Sequence, residues 1–288
     1  MWIVYSLFGA LSSSINVPAI KRVVDKQDEY VALWAMFAFR LPFAFILILI
    51  NGIHVVGNMF WGIVLLRVFL DMISGVTEMK AYKYAAISYV VPLMSLSALF
   101  STITGYLING QTPSIAGFFA IGLITLSTAL LFRAEKKINL DKISQKGVAR
   151  ATFYLMITLV LWALTNAIHK EGIDSSDPYT YFFFGYIGLS VGSTIAVFMM
   201  SRNALRKALT PKNLRYFLLI GLFGSLDRVF FLTALIDGLT GYVIAIHNTS
   251  VILIAATGVI FFKEKISVLK VFSILLGFLG VILFAIGG

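Results

Sequence analysis

Apolar residues fall along the chain in long unbroken runs. They sit at 2–20, 31–50, 60–80, 85–107, 115–132, 151–169, 179–200, 214–236, 239–262 and 268–286. A helix rises about 1.5 Å per residue, so about 20 apolar residues cross the ~30 Å hydrocarbon layer. The pattern therefore predicts ten transmembrane helices with short connections. A membrane barrel would need short alternating strands, and those are absent. The first run has no basic residue before it and Lys21 and Arg22 after it. A signal peptide has the reverse order, so the run is read as a helix that stays.

The runs repeat at a lag of 153. Ser88–Ser114 overlays Gly241–Ser267 with identities at Tyr89/Tyr242, Val90/Val243, Ser97/Ser250, Thr104/Thr257, Gly105/Gly258 and Ser114/Ser267. This divides the chain into a five-helix repeat at 1–133, a basic linker at 134–150 and a second five-helix repeat at 151–288. Loop charge adds orientation. The odd-numbered connections hold nineteen of the 23 Lys and Arg, the even-numbered ones hold Lys170 alone, and Arg40, Arg67 and Arg228 lie inside spans. The positive-inside rule places the odd loops in the cytoplasm and both termini outside. Five spans per repeat is an odd number, so the halves enter the membrane with opposite topology. The expected fold is an all-α integral membrane protein built as a 5+5 inverted-topology repeat, an architecture used for alternating access.

Composition agrees. Of 288 residues, 59% are hydrophobic and 12% charged, with mean hydropathy +0.93. A soluble domain carries about 25% charged residues. The net charge of +10 reads as a cytoplasmic collar and gives no reason to expect nucleic acid. With no cysteine, disulfides, thiolate metal sites and cysteine catalysis are excluded. The three histidines, His54, His169 and His247, lack metal-ligand spacing. No phosphate-binding G-x-x-x-x-G-K-S/T loop and no nucleophile–base pair is present, so neither an enzyme nor a cofactor or metal site is expected.

Several segments carry a family resemblance that spans nearly the whole chain. They are NVPAIKR (16–22), FAFRLPFAF around Arg40, LLRVF around Arg67, AYKYAAISYVVPLMSLSALF (81–100) and FFKEKISVLKVFSILLGFLGVILF (261–284), with the Lys–Glu step at Glu264. In order and spacing they resemble the ten-helix, EamA-type members of the drug/metabolite transporter superfamily. Gln111 stands at the first-half counterpart of Glu264, and the loop charges oppose the family's usual orientation. The resemblance implies a central cavity lined by helices one to four and six to nine, with five and ten peripheral. It also implies carriage of small organic metabolites.

Six charges inside spans are the candidate chemistry, since a buried charge in a membrane usually faces a cavity or a partner. Arg40 lies in the second span, Arg67, Asp71 and Glu78 in the third, and Asp227 and Arg228 in the eighth. Arg67, Asp71, Ser74 and Glu78 share one helix face; a structural Arg67–Asp71 pair is the alternative reading. His247 and Asn248 in the ninth span, and Trp162 and Asn166 in the sixth, are further substrate-binding candidates. The stripe Ser6, Gly9, Ser13 and Asn16 reads chiefly as a packing face. Asp71, Glu78, Asp227 and His247 are proton-coupling candidates, and Pro42 and Pro92 are hinge candidates.

The expected function is a secondary transporter or exporter of a small polar, zwitterionic or charged metabolite such as an amino acid. Arg40 and Arg228 would meet its carboxylate or phosphate, while Asp71 and Asp227 would meet its ammonium or couple protons. The rivals are a flippase, or flippase subunit, for a phosphorylated lipid-linked intermediate and a nucleotide-sugar type carrier. Expected partners are the metabolite, the lipid bilayer, protons and a second copy in a homodimer, in a bacterial or archaeal cytoplasmic membrane.

Overall fold

The computed structural model describes residues 1–55, 57–85, 90, 93–139, 145–253 and 268–287. Pro92 and Glu264 lie outside these. Within them the chain is helical, with no strand among the described residues. The elements are α1 (Trp2–Val24), α2 (Glu29–Ala38), α3 (Leu41–Asn51), α4 (Phe60–Tyr84), α5 (Ser97–Asn109), α6 (Ile115–Asn139), α7 (Gln145–Asp174), α8 (Pro178–Ala208), α9 (Pro211–Asp237), α10 (Thr240–His247) and α11 (Val268–Gly287). Because α2 and α3 are two parts of one apolar stretch, Glu29–Asn51, these helices form ten rods. Among the described residues, six helical stretches are long and apolar enough to cross a membrane, including Trp2–Val24, Phe60–Tyr84 and Pro211–Asp237. Leu65, Phe69, Leu107, Phe119 and Met199 are exposed on the bundle's outside, where lipid solvates them.

Helix starts follow the local sequence. Asp28 caps α2 by accepting from the Tyr30 amide at 2.9 Å. Asp177 caps α8 by accepting from Tyr179 and Thr180, and Pro178 follows at the first helical position. Thr210 and Pro211 do the same for α9. Side-chain oxygens satisfy amides that the first turn leaves orphaned, and proline costs nothing there. The basic stretch after Arg133 is shorter as a connection than the sequence suggests. Helix α6 continues to Asn139 and α7 begins at Gln145.

Packing joins helices of the first half of the chain to helices of the second. Helix α1 lies chiefly along α9 and α4 along α7, while α6 packs with α11 and α2–α3 with α8. In α1 the stripe Ser6, Gly9, Ser13 and Asn16 is buried, as small residues that let backbones approach should be. At Gly9 an added Cβ would come within 3.2 Å of the His247 ring.

Three rods are interrupted mid-span. The second breaks at Phe39–Arg40, just before Pro42. Proline has no amide hydrogen and crowds the carbonyl four residues back, so the helix cannot run straight through. Neighbours add hydrogen bonds at the break: Ser190 Oγ donates to Phe37 O at 3.2 Å and Ser225 Oγ to Arg40 O at 3.5 Å, carbonyls that also accept from the Arg40 and Ala44 amides. Turns at Ser95–Leu96 and Asn248–Thr249 interrupt the fourth and ninth rods. These two turns touch. Asn248 Nδ2 donates to Ser95 O at 3.0 Å, between residues 153 positions apart.

Candidate functional site

A cavity of about 140 Å³ lies between the helices. Its walls come from α1, α2, α4, α5, α7, α8, α9, α10 and the turn after it; no described residue of α6 or α11 takes part. The walls carry an unusual density of polar and ionisable groups for a membrane interior. Arg40, Asp71, Glu78, Trp162, Asn166, Asp227, Arg228, His247 and Asn248 all line it. Sequence spacing alone brought none of these together across helices.

The arginines divide into two kinds. Arg67 is fully buried and does not line the cavity. Its Nε donates to Asp71 Oδ2 at 3.3 Å and its Nη1 to Tyr181 O at 2.9 Å. The guanidinium lies 4.4 Å from the Tyr181 ring centroid and 5.6 Å from that of Tyr186. Gly185 leaves room for it; a Cβ there would collide with the guanidinium. These contacts are those of a structural cation that holds α4 against α8.

Arg40 and Arg228 face the cavity differently. Arg40 Nη1 donates to Tyr186 OH at 2.6 Å, and its Nε has no partner. Arg228 Nη1 lies 3.5 Å from His169 Nε2, its guanidinium sits 5.3 Å from the Phe231 ring, and its Nε has no partner either. Neither makes an ion pair with a carboxylate among the described residues. A charge buried in a membrane without such a partner is costly. Gly224 plays for Arg40 the part that Gly185 plays for Arg67, leaving the space its guanidinium fills.

The acids are spoken for to different degrees. Asp71 pairs with Arg67. Asp227 Oδ1 lies 2.5 Å from His247 Nε2, an imidazole–carboxylate dyad between α9 and α10. Glu78 faces the cavity two helical turns along α4 from Asp71, on the same face. The amides are partly engaged: Asn166 Nδ2 donates to Ser101 Oγ at 3.1 Å, and Asn248 Nδ2 reaches Ser95 O and Ser97 Oγ. On α1 the buried Asn16 Oδ1 has no partner and its residue lines the cavity, an acceptor left open. Pro42 stands at the break next to Arg40.

Three residues with a part in this geometry are not among the sequence candidates for binding. Tyr186 fixes Arg40, His169 links Arg228 to Tyr181 OH at 3.1 Å, and Tyr82 closes one end of the cavity wall. His169 falls on the same helix face as Trp162 and Asn166, which hinted at a shared wall. The tyrosines sit in aromatic runs that read as packing.

The helical rods and the lipid-facing exterior are those of a multi-pass integral membrane protein, and the cavity inside it is polar. Residues 149–286 match the EamA-like transporter family, which lies within the drug/metabolite transporter superfamily. That half of the sequence resemblance is thereby established, and the family is one of transporters. A solved structure titled "Crystal structure of protein" shares the fold with a TM-score of 0.80 over 99% of this chain and 96% of that one, at 9% identity. No curated protein matches the sequence.

Proposed function

We propose that the chain is a secondary transporter that moves a small polar metabolite with an anionic group, such as an amino acid or a related compound. The observation that carries the reading is the pair of arginines. Arg40 and Arg228 line one cavity, each with an unpartnered Nε and no carboxylate partner among the described residues. A guanidinium is suited to a planar carboxylate or a phosphate. The open acceptor of Asn16 and the carboxylate of Glu78 give an ammonium a place in the same cavity. At about 140 Å³ the cavity is smaller than the roughly 300–1,000 Å³ pockets of drug-sized ligands, which favours a small metabolite over a nucleotide sugar.

The dyad of Asp227 and His247 supports proton coupling, because imidazole changes charge near neutral pH. Alternating access by two inverted five-helix repeats, 1–133 and 151–288, is supported by the reciprocal packing of α1 on α9 and α7 on α4. The contact between turns 153 residues apart supports it too.

The test is uptake into proteoliposomes, with the ligand first found by a thermal-shift screen of amino acids, nucleotide sugars, polyamines and nucleosides. Arg40→Gln, Arg228→Gln, Asp71→Asn and Asp227→Asn are then assayed singly. Uptake and pH dependence that survive all four changes would overturn the site assignment. A lipid-linked phosphate that alone stabilises the protein would point to the flippase instead.

A further inference from the structure

Two short segments at opposite ends of the bundle share a motif that the lag of 153 hides. KRVVDKQDEY (21–30) and KEGIDSSDPY (170–179) carry Lys, Asp, Asp and Tyr at the same four positions, 149 residues apart. Each spans the end of one rod and the start of the next: α1 into α2, and α7 into α8.

The structure gives both segments the same contacts. Lys21 Nζ donates to Asp25 Oδ1 at 2.6 Å and to Tyr82 O, near the end of α4, at 2.6 Å. Lys170 Nζ lies 3.4 Å from Asp174 Oδ1 and donates to Leu235 O and Ile236 O, near the end of α9, at 3.2 and 2.8 Å. Tyr82 and Leu235 each stand two residues before the last residue of their helix. The second Asp caps the following helix in both places, accepting from the Tyr30 and Tyr179 amides. The last carbonyls of a helix have no intrahelical donor and sit at the negative end of its dipole, so a lysine is a strong partner there.

The chain crosses the bundle once per rod, so the C-terminal ends of α1 and α4 lie at the odd-loop face and those of α7 and α9 at the even-loop face. Each lysine thus ties together two helices that flank the cavity, one pair at each end. Tyr82, whose carbonyl Lys21 holds, is itself a cavity residue. At the odd-loop face Lys83 also pairs with Glu29, which joins the end of α4 to the start of α2. Its counterpart is missing at the other face, where Ile236 and Pro178 stand.

We propose that the two lysine clasps are matched latches, one for each membrane face, that release in turn, and that the structure holds both closed. Separating α1 from α4, or α7 from α9, breaks one clasp and leaves the other intact. This rests on the alternating-access reading, but its test needs no substrate and no transport, so the two can fail separately.

The chain has no cysteine, so a single Ser13→Cys reports on the cavity without background. Labelling by a membrane-impermeant maleimide is followed in vesicles of both orientations, with exposed Asn203→Cys in a separate protein marking the odd-loop face. Lys170→Met should speed Ser13→Cys labelling from the even-loop face alone. Lys21→Met combined with Lys83→Met should speed it from the odd-loop face alone. The expected change is about tenfold, the order that one charge-assisted hydrogen bond sets. Acceleration from the wrong face, from both faces equally, or from neither in a protein with unchanged thermal stability would overturn the proposal. If a methionine variant does not fold, Asp174→Asn at the even-loop face, and Asp25→Asn combined with Glu29→Gln at the odd-loop face, loosen the clasps from the acidic side and are read by the same criteria.

Discussion

Replacing Arg67 with methionine separates a structural arginine from a ligand-binding one. Methionine keeps most of the aliphatic stem but removes the guanidinium that joins Asp71, Tyr181 O and two tyrosine rings. Stripping one partner from a buried pair costs about 3–5 kcal/mol, because the other charge is left unpaired. The Asp71 side chain is 16% exposed to the cavity, which lowers that to about 2–3 kcal/mol. At roughly 2–4 °C per kcal/mol for a chain of this size, Tm should fall by about 5–10 °C. The assay is thermal unfolding of purified protein in detergent, followed by tryptophan fluorescence. The double variant Arg67→Met/Asp71→Asn is the sharper test. With both charges gone nothing is stranded, so it should recover at least about 1 kcal/mol relative to the sum of the single changes. Arg40→Gln should lower Tm far less, since Arg40 has no carboxylate to strand. A single Arg67→Met within measurement error of the parent, or a double variant no better than the sum, would refute the structural role.

Other outcomes follow from the same geometry. Tyr186→Phe removes the hydroxyl that fixes Arg40 and should raise the uptake KM about 5–30-fold with little change in Tm, as expected for a hydrogen bond of about 1–2 kcal/mol to a charged group. His247→Gln should flatten the pH profile of uptake, because it removes the imidazole of the dyad with Asp227; Asp227, Arg40, Arg228, His169 and Glu78 share its cavity and remain in place. Gly221→Ala puts a Cβ against the Phe39 carbonyl, backbone that cannot yield, and should cost about 1–3 kcal/mol in thermal unfolding. Gly62→Ala, on the same fold but with nothing within 4 Å, should instead leave Tm unchanged or raise it slightly.

Much of the fold was legible because span length and apolar content are properties of single segments. Helix starts at Glu29, Pro178 and Pro211 follow their capping Asp and Thr. The break beside Arg40 was legible in Pro42. The turn at Asn248–Thr249 was not, since no proline marks it. It is held by a local bond, Thr249 Oγ1 to Ile246 O at 2.6 Å, and by Asn248 Nδ2 to Ser95 O, whose partner only tertiary structure supplies. The site shows the same division. Arg40 and Arg67 look alike in sequence, each a lone guanidinium within an apolar run. Their roles diverge because Tyr181 O and Asp71 lie beside one and an open cavity beside the other. The two lysine clasps went unseen for a simpler reason: a four-residue shift between α1/α7 and the later helices takes them out of register with the lag that reveals the rest.

The contact between Asn248 and Ser95 has a mechanical consequence. In the proposed pair of repeats these residues are counterparts, so their hydrogen bond lies where the pseudo-two-fold axis passes. A point on an axis is carried onto itself when the two sides trade places. The turns at 95–96 and 248–249 therefore have nowhere to go while the lysine-tied ends travel. They act as a fulcrum in the middle of the bundle, and the residues hung close to it, Ser97, His247 and Asn248, stay at nearly the same depth whichever face is open.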